Sequence, residues 1–207
     1  SGQAFVDQAV SMTNPVVSTA GGTALVYDAG GRELFVYSGR EEVFSLTQED
    51  GQALLSADVN QNGWLAVTSQ ESGHKGSVTV YDNSYSPLVR FSLSNRFVMD
   101  AAVAPDNKSV ALLTIGLTDG NFESRVDLYR LDRTEEETEP DWTCPVGNNA
   151  ILDLRWTSIG IWALGESGLY IVSGDGVLSG SYDYGGRYLK AFSLDGDGTA
   201  SLLLGKY

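Results

Sequence analysis

The stretch Val78-Thr79-Val80-Tyr81 decides the fold, because its apolar-x-apolar-Tyr pattern recurs along the chain. Leu34-Phe35-Val36-Tyr37 and Val126-Asp127-Leu128-Tyr129 are two further copies, and Leu169-Tyr170-Ile171-Val172 is a degenerate fourth. The first residues of successive copies are 44, 48 and 43 positions apart. A period of about 40–50 residues with several strands in each unit is typical of a β-propeller, in which each unit forms one blade. We therefore expect an all-β propeller.

The segments before each copy support this prediction. A blade is a sheet of four antiparallel strands, and its second strand is covered on both faces by the neighbouring blades. Continuous apolar runs with this character occupy residues 24–27, 64–67, 110–113, 161–164 and 201–204. The turns that precede several of these runs are rich in Asn, Asp and Gly, which tolerate the positive φ angles of tight hairpins. The pattern predicts four blades of four strands, at about 13–51, 52–97, 98–149 and 150–186, and a partial fifth at 187–207.

One of these turns, Ala104-Pro105-Asp106-Asn107-Lys108, resembles the first hairpin of the WD40-like repeats in TolB-type propellers. Asn107 stands where that repeat has Gly. The resemblance implies a propeller fold and does not extend to the transport role of that family.

The chain as a whole is similar to an uncharacterised bacterial family. The resemblance rests on Asn14-Pro15-Val16, the turn from Tyr27 to Gly31, Val80-Tyr81-Asp82 and Leu128-Tyr129-x-Leu131-Asp132. It implies a propeller-like domain of unknown function behind a single N-terminal membrane anchor. The chain begins with Ser1-Gly2 and contains no apolar run long enough to span a membrane. We therefore expect an extracellular or cell-surface domain whose anchor, if present, lies outside this sequence.

Two forms of closure remain open. The segment 5–10 could pair with the last two strands and close a small five-bladed ring. Alternatively, the chain is an arc of a larger propeller, which the end of the sequence inside a second-strand pattern favours.

Composition excludes several functions. The formal net charge of −14 opposes binding to nucleic acid and to anionic membranes. Cys144 and His74 are the only residues of their kinds, so multi-His and multi-Cys metal sites are excluded. We expect a buried Cys144 thiol, no cofactor, and no catalytic dyad built on His74.

A calcium site is a weak alternative at Asp58-Val59-Asn60-Gln61-Asn62-Gly63, which matches the first half of a calcium loop. Asp58, Asn60 and Asn62 would supply ligands, but the twelfth position, where such a loop has a bidentate acid, is Ser69. An ordinary hairpin is the favoured interpretation, so we predict no metal.

Two irregular loops are predicted between the second and third strands of the second and third blades, at residues 69–76 and 116–124. Such loops share one face of a propeller with the connections between blades, where ligands commonly bind. The candidate ligand-binding residues on this face are His74, Lys75, Arg96, Asp119, Asn121, Phe122, Tyr184 and Arg187. The alternative is that these are ordinary solvated loops.

The acidic run at 135–139 is predicted to be a solvated loop at the outer rim of the third blade, or a docking segment for a basic partner. No catalytic residue is assigned, because nucleotide-binding and nucleophile motifs are lacking. The leading hypothesis is a non-catalytic binding or scaffolding propeller that recognises a protein or a glycan. A hydrolase or lyase that uses carboxylates and Tyr at the channel mouth is one alternative, and a structural fragment of a larger repeat protein is another.

Overall fold

The structure is a computed structural model, and it describes residues 10–132, 139–194 and 198–206. All regular elements in these ranges are strands, and they form four four-stranded antiparallel sheets and one two-stranded sheet. The prediction of an all-β propeller with four blades and part of a fifth is confirmed. Within the described ranges no helix has the length and apolar character needed to cross a bilayer.

The first two sheets each contain four consecutive strands paired in chain order. The first is formed by β1 (Pro15–Ala20), β2 (Thr23–Asp28), β3 (Glu33–Ser38) and β4 (Glu41–Thr47). The second is formed by β5 (Leu54–Val59), β6 (Leu65–Ser69), β7 (Ser77–Tyr81) and β8 (Pro87–Ser92).

The remaining sheets follow the same order. The third is formed by β9 (Phe97–Val103), β10 (Ser109–Thr118), β11 (Asn121–Arg130) and β12 (Trp142–Pro145). The fourth is formed by β13 (Ile151–Thr157), β14 (Gly160–Gly165), β15 (Gly168–Val172) and β16 (Leu178–Asp183). The fifth is formed by β17 (Tyr188–Leu194) and β18 (Ala200–Gly205).

The core lies between successive sheets, as the continuous apolar runs predict. Every residue of β6 and of β14 is buried. Leu113 and Val126 of the third sheet, for example, pack in one cluster with Leu154 and Ile161 of the fourth. Cys144 is buried in the same cluster, as predicted, and burial raises the pKa of its thiol.

The first strands of four sheets share a β-bulge, which adds one residue and redirects the side chains that follow. The register shifts place the extra residue at Leu55, Met99, Leu152 and Lys190. The residues directly after the bulges are Ser56, Asp100, Asp153 and Ala191. Three polar side chains therefore recur at one structural position of the innermost strands.

The first strands of the sheets surround a central channel. Its two ends are formed by different connections. At one end, called the upper face, the turns after the second strands meet the connections between sheets. Gln70 N donates to Ala53 O at 2.8 Å, and Glu166 N donates to Ala150 O at 3.0 Å. At the other end, called the lower face, lie the turns between first and second strands.

The prediction of an irregular loop at 116–124 is wrong. β10 and β11 continue as a regular antiparallel pair up to Thr118↔Asn121. Asp119 and Gly120 close the hairpin with φ angles of 50° and 78°. Positive φ at both central residues defines a type I′ turn, which Asp-Gly favours.

Two sequence interpretations fall largely on residues outside the described ranges. They are the pairing of segment 5–10 and the acidic run at 135–139.

Candidate functional site

A polar network joins the innermost strands across the channel. Ser18 Oγ of β1 donates to Asp58 Oδ1 of β5 at 2.5 Å, and Arg155 Nη1 of β13 donates to the same oxygen at 2.6 Å. Arg155 Nη1 also lies 3.2 Å from Ser18 Oγ, and Arg155 Nε donates to Asp153 Oδ2 at 3.2 Å. One guanidinium thus connects the first, second and fourth sheets.

A second branch includes the third sheet. Ser56 Oγ of β5 donates to Asp100 Oδ1 of β9, and Leu154 N of β13 donates to Asp100 Oδ2 at 3.0 Å. Ser56 also forms a hydrogen bond with the hydroxyl of Tyr27, which belongs to β2 of the first sheet. Four sheets are therefore linked by hydrogen bonds that involve three carboxylates and one arginine.

Burial dominates the electrostatics of the network. It raises the pKa of Asp58 and of Asp153, although the Arg155 charge opposes the effect in both cases. It raises the pKa of Asp100 to about 7, with a further contribution from the negative charge of Asp153. Burial disfavours the charged form of Arg155, yet Asp58 and Asp153 outweigh it and raise the pKa of the guanidinium. A carboxyl group that is close to half protonated at neutral pH thus lies inside the channel.

The lower mouth of the channel contains an open pocket of about 350 Å³. Asp58 and Arg155 contribute to its wall, and their side chains are 13% and 34% exposed. Thr19, Asn60, Trp156 and Leu194 supply a mixed polar and apolar rim. Asp100 and Asp153 are not among the described residues that line it.

The three residues of the alternative calcium site are engaged elsewhere. Asp58 is paired with Arg155 in the channel. Asn60 Oδ1 accepts the amides of Asn62 and Trp64 at 2.9 and 3.0 Å, and Asn62 Nδ2 donates to Pro105 O at 2.7 Å. No group of three or more His, Cys, Asp or Glu side chains within the described ranges has the arrangement of a metal site. The favoured hairpin interpretation describes this segment better than a calcium loop does.

Part of the predicted ligand-binding set lies together on the second and third sheets. Lys75 Nζ lies 4.2 Å from the centroid of the Phe97 ring. The adjacent Arg96 donates from Nη2 to Glu123 O at 2.5 Å, inside the long hairpin that also contains Asp119, Asn121 and Phe122. Asn121 and Phe122 belong to β11 and not to a loop.

Other members of the set are placed apart from this hairpin. Tyr184 is fully buried, and burial raises the pKa of its hydroxyl to about 12. It therefore cannot form part of an exposed rim. Arg187 Nε donates to Tyr184 O at 2.7 Å, next to the fifth sheet. His74 remains within its own loop, where Nδ1 lies 3.8 Å from Glu71 Oε2.

A cleft of about 880 Å³ lies between the outer strands of the second and third sheets. Arg90, Arg96 and Arg125 line it. Their charges are compensated: Arg90 pairs with Glu71 at 3.2 Å, and both Arg96 and Arg125 pair with Glu123. The cleft is therefore not a strong anion site.

The channel residues are the functional candidates that sequence reasoning missed. Asp58 was considered only as a calcium ligand, and Asp100, Asp153 and Arg155 were not considered. A signal existed, because two apolar residues precede a polar one in Leu54-Leu55-Ser56, Val98-Met99-Asp100 and Ile151-Leu152-Asp153. Its structural meaning depends on the bulge, which a strictly alternating strand pattern does not reveal.

Solved structures share the fold at low sequence identity. A protein of unknown function from Bacteroides caccae superposes with a TM-score of 0.55 and 13% identity, over 86% of this chain and 63% of that one. The structure of BBS1N in complex with ARL6DN gives 0.53 and 12%, over 88% and 58%. The Pan2 WD40 domain of Neurospora crassa gives 0.55 and 10%, over 89% and 53%. The chain thus spans less than two thirds of the length of each of them, and the likeness concerns the fold alone.

No curated protein sequence is significantly similar to this chain. Residues 1–146 match the family model described as "Family of unknown function (DUF5711)". This match covers well over half of the 207 residues. The chain therefore belongs to the DUF5711 family.

Proposed function

We propose that this propeller is a non-catalytic binding or scaffolding module that recognises a protein or a glycan through its upper face. The observation that carries the proposal is the engagement of the channel carboxylates. Ser18, Ser56, Arg155 and a backbone amide hold these groups between sheets. We further propose display on the outside of a bacterial cell, as the sequence resemblance to anchored proteins implies.

A hydrolase needs a general acid and a general base that reach the same bound substrate. Asp100 has the pKa suited to such a role, but the pocket at the lower mouth is not lined by it. Both of its oxygens accept hydrogen bonds from the protein. This arrangement favours a structural role for Asp100 over a catalytic one.

A protein partner has some support from fold analogy. One of the similar structures is a complex, that of BBS1N with ARL6DN. At 12% identity this likeness shows only that a related architecture occurs in a complex.

The test is site-resolved crosslinking of the purified chain, through an amine-linked photoreactive group, to bacterial envelope proteins, with a glycan array in parallel. Lys75 lies on the upper face, and the exposed Lys108 lies in a turn of the lower face and is the matched control. We expect protein crosslinks at Lys75 and not at Lys108. If the ligand is a glycan, we expect it to protect Lys75, and not Lys108, from amine labelling. Adducts confined to Lys108, or no binding in either format, would contradict the proposal.

The hydrolase or lyase alternative is favoured by one observation, the convergence of three carboxylates, Tyr27 and Arg155 in the channel. Turnover of chromogenic glycosides or uronides that disappears in both Asp58→Asn and Asp100→Asn would establish it. If the wild-type chain hydrolyses these substrates no faster than buffer alone does, the result favours the binding function.

A further inference from the structure

The hairpin of β10 and β11 extends beyond the rest of its sheet. The pairing of β9 with β10 ends at Phe97↔Ile115, and β12 pairs with β11 only from Arg125 to Leu128. In the part of the chain that the structure describes, residues 116–123 therefore form strand pairs only with one another. We call this two-stranded segment on the upper face the overhang.

One side of the overhang is held by a polar network. Arg96 Nε donates to Thr114 Oγ1 at 3.1 Å, and Arg125 Nη2 donates to Thr118 Oγ1 at 2.8 Å. Thr118 Oγ1 in turn donates to Glu123 Oε1 at 2.9 Å. These bonds cross both strands, so the overhang is ordered without help from another sheet.

The opposite side is apolar and faces solvent. Leu113, Ile115 and Leu117 alternate along β10 and share one face, since the side chains of a strand repeat every two residues. Leu113 is buried against the fourth sheet, whereas Leu117 is 74% exposed. Its cross-strand partner Phe122 is 41% exposed. Phe97, which pairs with Ile115, is 50% exposed, and Lys75 Nζ lies over its ring at 4.2 Å.

Packing among the described residues leaves this surface exposed to solvent. An isolated exposed Leu is common in proteins, but a register-matched row that continues a buried one forms a contiguous patch. The type I′ turn and the polar network hold the patch in one conformation, which reduces the entropy lost on binding. Aromatic side chains such as Phe122 are enriched at the centres of protein–protein interfaces.

The surrounding charge restricts the partner. Asp119 at the tip of the overhang is exposed, and so is Glu166 in the neighbouring turn of the fourth sheet. That turn is connected to the overhang through Glu166 N to Ala150 O at 3.0 Å and Ser124 Oγ to Asn149 O at 2.9 Å. No ion pair within the described ranges involves either acid. The whole chain carries a formal charge of −14, so its field favours a basic partner.

We propose that the apolar side of the overhang docks a protein whose contact segment carries an apolar anchor flanked by Lys or Arg. The anchor contacts Leu117, Phe122 and Phe97, and the flanking cations face Asp119 and Glu166. This inference rests on the proposed binding function and specifies the contact and the class of partner.

The probe is a displayed library of random 12-residue peptides, selected on the full chain. The test variant is Leu117→Thr with Phe122→Thr, because Thr keeps the β-propensity of the hairpin and removes the apolar surface. Val177→Thr is the control, since Val177 is 57% exposed in a turn of the fourth sheet. Circular dichroism establishes that each variant is folded, and Leu117→Lys alone replaces the double variant if that one unfolds.

We expect selected peptides to combine an aromatic or aliphatic residue with Lys or Arg, and to bind the double variant at least about 30-fold more weakly. Val177→Thr should leave the affinity unchanged. Asp119→Asn with Glu166→Gln removes both charges while Asn keeps the type I′ turn, and should weaken binding and reduce its salt dependence. Two outcomes overturn the inference and leave the proposed function intact. In the first, the peptides protect Lys75 from the amine-linked crosslinker but bind the double Thr variant as tightly as the wild type. In the second, the selected peptides are acidic. Peptides that bind only the lower face, or binding only of glycans, contradict docking of a protein at the overhang.

Discussion

The channel and the overhang reverse the usual distribution of residues in a globular protein. Inside the channel, Asp58, Asp100 and Arg155 are withdrawn from water and bonded to one another or to neighbouring strands. On the overhang, Leu117 and Phe122 extend into solvent. The polar groups are satisfied within the chain, whereas Leu117 and Phe122 remain 74% and 41% exposed among the described residues. The difference is consistent with a channel that stabilises the propeller and with the overhang as the surface that we propose for a partner.

The channel places its charges where four sheets meet. Desolvation of a carboxylate is unfavourable, and it is offset only when hydrogen bonds and an opposite charge are positioned well. Arg155 satisfies Asp58 and Asp153 at once, while Ser56 and Leu154 N satisfy Asp100. Such a network fixes the relative positions of the sheets more specifically than apolar contacts do.

Substitution of Arg155 tests the stabilising role of the channel most strongly, through the free energy of unfolding. Arg155→Met leaves Asp58 and Asp153 buried without their cation, and we expect the free energy of unfolding to fall by about 2–4 kcal/mol, since the side chain is partly exposed. Urea denaturation followed by Trp fluorescence measures it. Arg32→Met is the control, because Arg32 pairs with the solvent-exposed Asp50 and its loss should change stability by less than about 1 kcal/mol. Equal effects of the two substitutions would show that the channel pair is no more important than a surface pair.

Asp100 should make stability depend on pH in a defined direction. Burial raises its pKa to about 7 in the folded chain, against about 3.9 when unfolded. The folded state therefore holds the proton more tightly, and this stabilising contribution is complete at acidic pH and is lost as the pH rises through 7. Wild-type protein should lose on the order of 2–3 kcal/mol between pH 5 and pH 8 through this group.

Asp100→Asn should remove that loss, because the amide stays neutral, can donate to Ser56 Oγ and can accept from Leu154 N. Urea titrations at pH 5 and pH 8 measure the difference for both proteins. The control is Asp50→Asn, an exposed carboxyl. A parallel decline of wild type and Asp100→Asn would contradict the assignment of the pH dependence to Asp100.

The repeat pattern was sufficient to predict the sheets because it reports directly on burial. Val78 and Val80 are fully buried, and Tyr81 and Tyr129 pack against Phe44 and Phe91 of the preceding sheets. Burial between neighbouring sheets recurs once in each repeat, so periodicity along the sequence captures it.

The site could not be predicted to the same extent. Asp100 and Arg155 are 55 residues apart along the chain, and their proximity depends on how two sheets are arranged and on bulges at Met99 and Leu152. The overhang was within reach of the sequence, since Ile115, Leu117, Phe122 and Ser124 alternate with other residues around Asp-Gly. The sequence analysis predicts an irregular loop there, whereas Asp119 and Gly120 close a type I′ turn.

The smallest effect on stability is expected at the overhang itself. Leu117→Ala should change the free energy of unfolding by no more than about 0.5 kcal/mol, because the side chain is 74% exposed. Leu113→Ala, on the same strand and face, should cost about 2–5 kcal/mol because it opens a cavity beside Leu154 and Ile161. The pair is compared by urea denaturation under identical conditions. A cost above about 1.5 kcal/mol for Leu117→Ala would mean that the overhang packs against the propeller in solution, and its apolar side would then not be available to a partner.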